Sequence, residues 1–395
     1  AAGLSFYTLS AVSYVADVYR RELAVERHPG YLFLYLAFFP KLLAGPIERA
    51  RPFLTQLRAE VRFSASGVTA GLQQMLWGLF KKVVIADRLA VVVDAAYRLP
   101  AFSSAADLLI ATYFFAFQLY CDFSGYSDIA IGASRVLGLE LTENFRRPYF
   151  STSVAEFWSK RWHLSLAGWF RDYVYIPLGG NRVSRVRQDV NVMAVFLLSG
   201  LWHGANWTFV VWGGLNGLYQ VTEQCVRRLR ERLRPWRPFG RLRVVLSNIE
   251  GRAKDERIRG EASSEDRAGS GAQAPLKKSW LILRAVLTFH LILITWVFFR
   301  AGSLSDATTI LSRVAASFWS LPALLASRLS GSDMLVSLAL IAVLLGVEAF
   351  DERRPFWDLI RARPIVVRWI VYYALVFGLI VLGTWNVRQF VYMQF

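Results

Sequence analysis

Of the four histidines in this 395-residue chain, His203 has the context best suited to proton transfer. It lies in Leu201-Trp202-His203-Gly204-Ala205-Asn206-Trp207, midway along a largely apolar stretch from Val190 to Thr222. Imidazole has an unperturbed pKa of about 6.5, so it can accept a proton at neutral pH and return it. Such a base activates a hydroxyl, which is a weak nucleophile by itself. The competing reading is a structural histidine inside a helix pair. His163, in Trp158-Ser159-Lys160-Arg161-Trp162-His163-Leu164-Ser165-Leu166, follows cations and tryptophans, a context that fits an interfacial anchor as well as an active site. His28 precedes Pro29 in a polar turn and reads as solvated, while His290 lies midway along an apolar stretch, where a lone imidazole normally bonds a neighbouring helix.

Asp122 and Asp128 occupy Tyr120-Cys121-Asp122-Phe123-Ser124-Gly125-Tyr126-Ser127-Asp128, between apolar runs. A carboxylate at membrane depth is costly, so it faces a bundle interior or a wet cavity. Two readings stay open: anchors for Arg or backbone donors beside closely packed helices, or walls of a substrate channel. The sequence has no Gly-x-Ser-x-Gly elbow, P-loop, dinucleotide fingerprint or His-Glu-x-x-His helix. Any chemistry must come from these intramembrane polar groups.

The elements that position them are membrane helices. Hydrophobic residues make up 55% of the chain and charged ones 19%, a balance foreign to soluble domains. The net charge of +17 on so apolar a chain fits basic cytoplasmic loops better than a nucleic-acid face. Two cysteines, Cys121 and Cys225, give neither a disulfide framework nor zinc-site spacing, and no metal is expected. Trp280 to Phe299, Met334 to Phe350 and Trp369 to Trp385 have spanning length. Upstream, Gly30 to Phe39, Gly67 to Phe80 and Leu108 to Cys121 are shorter apolar runs that stop at Lys41, Lys81 and Asp122, a length that fits re-entrant or core helices. The stretch from Val190 to Thr222 is too long for one simple crossing and is interrupted at Gly200, His203, Gly204 and Asn206, which predicts a broken helix pair around a cavity. From Arg227 through Lys278 about fifteen Lys and Arg stand against about seven acids, the signature of a cytoplasmic loop. Within it, a mobile linker is expected at about 248–275, where large aliphatic side chains are nearly absent.

The pattern of these residues resembles the alginate O-acetyltransferase branch of the membrane-bound O-acyltransferase (MBOAT) superfamily. The resemblance rests on Asp17-Val18-Tyr19-Arg20, Phe39-Pro40-Lys41, Tyr120 to Asp128, Asn144-Phe145-Arg146-Arg147-Pro148-Tyr149, Arg161 to Leu166, Trp169 to Asn181, Gly200 to Trp207 and Trp296 to Ala301. It covers nearly the whole chain, and the order of so many motifs makes it specific. Relatives carry further hydrophobic segments before the first motif, so a chain opening on Ala1-Ala2-Gly3 reads as N-terminally truncated.

The resemblance implies an all-α, polytopic inner-membrane protein of one domain, a ring of transmembrane and re-entrant helices around a central tunnel. It implies His203 as the catalytic base, with His163 lining the same tunnel. Asp122, Asp128, Trp202, Asn206 and Trp207 are expected along the substrate path. The implied activity moves an acyl group, most simply acetyl, from a cytoplasmic thioester such as acetyl-CoA toward hydroxyls of an extracytoplasmic polysaccharide. Membrane lipid and a periplasmic acyltransferase partner are the implied company, and nucleic acid is not. The rival class is a non-catalytic lipid or glycan transporter, in which the same polar groups mark a pathway. Inverted symmetry between chain halves favours that class, and the sequence has none.

Overall fold

Asp122 and Asp128 do not end a helix; they lie inside one. The computed structural model describes residues 4–60, 63–233, 274–317, 319–320, 322, 325, 328, 331–352, 356–385 and 390–391. In chain order its helices are α1 (Leu4–Tyr19), α2 (Pro29–Ala37), α3 (Ala50–Arg58), α4 (Ala65–Leu79), α5 (Asp87–Arg98), α6 (Ala105–Val136), α7 (Val154–Glu156), α8 (Leu164–Phe170), α9 (Arg185–His203) and α10 (Trp207–Leu233). They continue with α11 (Ala274–Arg300), α12 (Leu304–Ala316), α13 (Ser332–Asp351), α14 (Phe356–Arg361) and α15 (Ile365–Leu382). No strand occurs among the described residues, and the fold is the expected all-α, multi-pass membrane architecture. The linker expected at 248–275 lies, up to residue 273, outside the described residues.

Among the described residues, four helices have the length and apolarity to cross a membrane: α6, α11 from Ser279, α13 and α15. The last three match the spans expected from the sequence. α6 is the correction, because the apolar run from Leu108 continues through Asp122 to Val136 as one 32-residue helix. Most of α6 is buried, whereas α15 encloses little beyond Gly378 and Leu379, so α6 is the central post and α15 a peripheral one.

What lets α6 carry charge is α4 and the turn after it. The run expected to stop at Lys81 instead continues through a π-helical segment, Phe80–Ala86, directly into α5. Lys81 and Lys82 point inward, 4% and 7% exposed. The Lys82 ammonium donates to Asp122 at 2.6 Å and to Asp87 at 2.8 Å, and Lys81 donates to Ser124 at 2.8 Å and pairs with Asp128 at 2.5 Å. Charges that look like helix boundaries in sequence are thus one paired cluster, two ammoniums among three carboxylates. Close packing permits it. A Cβ on Gly71 would lie 2.5 Å from the Gly132 carbonyl oxygen and one on Gly78 2.6 Å from that of Gly125, so α4 and α6 touch backbone to backbone.

The pair α9 and α10 is the broken hairpin expected from the sequence, with its turn at residues 204–206. Glycine again sets the spacing: Gly200 faces the Phe209 carbonyl and Gly213 the Phe196 carbonyl, each too close to admit a side chain. His203 is the last residue of α9 and is buried at the top of that hairpin.

Candidate active site

His163 is placed by its backbone. It caps the start of α8 in a left-handed conformation, φ 46°, which non-glycine residues adopt only when the surroundings hold them there. Asn144 holds it. The Asn144 carbonyl accepts from the Leu164 N–H at 3.0 Å, and its side-chain oxygen accepts from the Ser165 hydroxyl at 3.0 Å and the Ser165 N–H at 3.3 Å. The amide of Asn144 then donates to the Ser127 hydroxyl at 3.3 Å, which ties the loop to α6. Just before His163, the Arg146 N–H donates to the Arg161 carbonyl at 2.9 Å.

Ion pairs brace the same loop. Arg161 bonds Glu156 at 2.7 Å and Glu352 at 2.8 Å, and Arg147 reaches Asp351 and Glu352. The hydrogen bond from Arg161 holds the Glu352 carboxyl below the usual glutamate range. The loop bearing His163 is therefore anchored to α6 and to the end of α13.

Both imidazoles sit among aromatic rings. His163 lies 4.6 Å from Phe123 between ring centres, edge to face, with Phe6 and Phe145 at 6.1 and 6.3 Å. His203 lies 5.1 Å from Trp212 and 5.1 Å from Phe299, both edge to face. The two open on one cavity of about 700 Å3, whose inner wall includes Ser199, Phe196, Trp158 and Trp162. That volume suits a small-molecule substrate. Its exposed rim carries Arg146, Lys160, Arg171 and Arg227. A cavity with cations at its mouth draws an anionic ligand inward.

The other expected site residues lie elsewhere. Asp128 lines a second cavity, and Asp122 borders neither, being held by Lys82 and by the Val391 N–H at 2.7 Å. A buried carboxylate satisfied by an ammonium and a backbone donor has its oxygens spent on structure. Trp202 packs behind His203 against Phe6. Asn206 caps α10, accepting from the Thr208 N–H at 3.1 Å and donating to the Gly302 carbonyl at 3.1 Å, and Trp207 is 71% exposed. Neither faces the histidine cavity, because the turn at 204–206 directs them away from it. His290 has the structural role expected, bonding the Tyr113 hydroxyl at 2.7 Å. Asn144 is the residue whose role the sequence reading missed: its motif was visible, but no spacing connects it to His163.

Residues 4–246 match the model of the membrane-bound O-acyltransferase family, MBOAT. The chain belongs to that family. Among MBOAT relatives, the probable alginate O-acetylase AlgI of Azotobacter vinelandii is 41% identical over 225 residues, 57% of this chain and 44% of that protein. The peptidoglycan O-acetyltransferase of Helicobacter pylori is 32% identical over 335 residues, 78% of this chain and 55% of that protein. The teichoic acid D-alanyltransferase of Bacillus subtilis is 28% identical over 261 residues, 62% of this chain and 64% of that protein. The chain thus spans about half the length of the curated relatives it matches. Both histidines and Asn144 fall inside the stretch matched by the MBOAT model.

Proposed function

We propose that this MBOAT chain is an O-acyltransferase that takes an acetyl group from a thioester such as acetyl-CoA and passes it toward hydroxyls of an extracytoplasmic polysaccharide. The observation that carries the reading is the single cavity faced by His203 and His163 behind a basic rim. His203 takes the proton of the accepting hydroxyl as its oxygen bonds to the thioester carbonyl carbon. The carbon–sulfur bond then breaks, and the proton passes from His203 to the departing sulfur. His163, held by Asn144, positions the reacting groups within the same cavity.

The names of the relatives, which cite alginate, peptidoglycan and teichoic acid, support a cell-envelope polymer as acceptor. The excess of Arg and Lys after Arg227 supports a cytoplasmic rim and hence an inner-membrane orientation with donor entry from inside. Hand-over to polymer by a periplasmic partner protein, and association with membrane lipid, complete the proposal.

The test is His203→Ala in membranes holding equal protein, with released thiol and polymer ester measured together. Both should fall by about 10²- to 10⁴-fold, the usual contribution of a general base. Acylation retained at the wild-type level would sink the assignment of His203. Polymer modification in the wild type without thiol release would favour the transporter class instead.

A further inference from the structure

Beside the histidine cavity lies another, of about 440 Å3, with helical walls. α6 lines it with Arg135, Ile131, Asp128, Ser124 and Tyr120, one side chain per turn along a single face. Gln74, Trp77 and Lys81 descend beside that stripe, and Asp351 and Glu348 do so on α13. Arg135 and Tyr120 are about four turns apart, so the cavity is a shaft on the order of 20 Å deep. Its rim holds Arg135, Asp351, Asp358 and Arg361, and its floor holds Lys81, Ser124, Tyr120 and Glu348. Glu143 and Arg146 border both cavities, so the two open on the same face of the bundle.

The floor has one unmet demand. The Tyr120 hydroxyl donates to Glu348 Oε1, but Glu348 Oε2 has no hydrogen-bond partner among the described residues, although Glu348 is only 6% exposed. A buried carboxylate oxygen in that state is costly, and a donor entering from the shaft relieves it. An ammonium is a poor candidate, since the Lys81 ammonium lines the same floor. A hydroxyl suits it. The lining carries five basic and five acidic side chains, so it selects neither anions nor cations. Trp77, Phe356 and Trp357 add flat apolar faces of the kind that pack against a sugar ring. A lipid headgroup reaching this floor would leave its acyl chains at the charged rim, which rules for a soluble ligand.

We propose that this shaft binds a soluble, uncharged polyhydroxylated molecule, a sugar or sugar alcohol, with one hydroxyl donating to Glu348 Oε2. The site is separate from the transfer centre and does not depend on the acyltransferase reading.

The experiment is saturation-transfer NMR and equilibrium dialysis on the chain in styrene–maleic acid discs, which avoid glycoside detergents. The probes are glucose, N-acetylglucosamine and mannitol, with glucosamine and glucose 6-phosphate as charged counterparts. At least one neutral probe should bind saturably and more tightly than either charged one. Glu348→Gln, which keeps an oxygen for Tyr120, should weaken that binding roughly tenfold to a hundredfold. Trp357→Ala, at the rim and away from the buried pairs, should weaken it too and decides the matter if Glu348→Gln does not accumulate. Absence of saturable binding by every neutral probe, wild-type affinity in both variants, or preference for the phosphate would overturn the proposal. Full displacement by coenzyme A would overturn it as well, by placing the sugar in the histidine cavity. Binding is read without turnover, so an inactive transfer centre leaves the result unchanged.

Discussion

Around Lys81 and Lys82, each ammonium meets a carboxylate within 2.6 Å, whereas His163 and His203 stand among aromatic faces at the edge of an open cavity. Both regions bring polar groups deep into an apolar bundle. In the first, every ammonium is already paired with a carboxylate of the fold. The second sets two imidazoles among aromatic rings at the wall of an open cavity. The difference teaches that depth in an apolar bundle does not by itself mark chemistry; the company a group keeps there does.

The largest effect should come from unbalancing the first region. Lys82→Met leaves Asp122 and Asp87 without their ammonium and should destabilise the protein by about 3–5 kcal/mol. The measurement is thermal retention of folded protein in discs, and adding Asp122→Leu should restore part of the loss. A single variant as stable as wild type would mean that the cluster is not holding α4 to α6. A smaller effect is expected where the two regions join. Asn144→Ala removes the acceptor for Ser165 and the donor to Ser127, worth about 1–3 kcal/mol of stability, and frees the strained backbone at His163. Its particular sign should be a fall in kcat for thioester turnover with KM nearly unchanged, since it moves a positioning residue and not the rim; an altered KM alone would contradict that role.

The smallest effect belongs to the exposed brace. Glu352→Gln should cost less than about 1 kcal/mol, because the pair with Arg161 is partly solvated. The Glu352 carboxyl is held low by the Arg161 hydrogen bond, so its stabilisation is complete at neutral pH and fades as pH falls through its lowered pKa. The variant and wild type should therefore converge in acid, and a stability gap that widens on acidification would refute the assignment.

The sequence made the hairpin legible because Gly200, His203, Gly204 and Asn206 break an apolar run longer than one crossing. It made the C-terminal helices legible because nothing charged interrupts their middles. α6 was misread for the converse reason: hydropathy counts Asp122 as a boundary and cannot see Lys82, forty residues away, supplying its partner. His163 and His203 were legible as candidates, but Asn206 and Trp207, neighbours of His203 in sequence, do not line its cavity. A helix turns about 100° per residue, and a break redirects the chain altogether, so adjacency along the chain says little about a shared wall.

The paired glycines of α4 and α6 also bear on how the chain enters a bilayer. A lysine in the middle of a lone helix costs about 2.5–3.5 kcal/mol to insert, and Lys81 and Lys82 follow one another. Gly71 and Gly78 are spaced as Gly125 and Gly132 are, so sliding α4 by one turn along α6 breaks both backbone contacts together. The alignment that lets the helices touch is the same one that delivers both ammoniums to Asp122 and Asp128. The α4–α5 segment is thus ill suited to insertion ahead of its counter-charges. Entry of α4–α5 together with α6 would bring each ammonium and its carboxylate into the bilayer already paired.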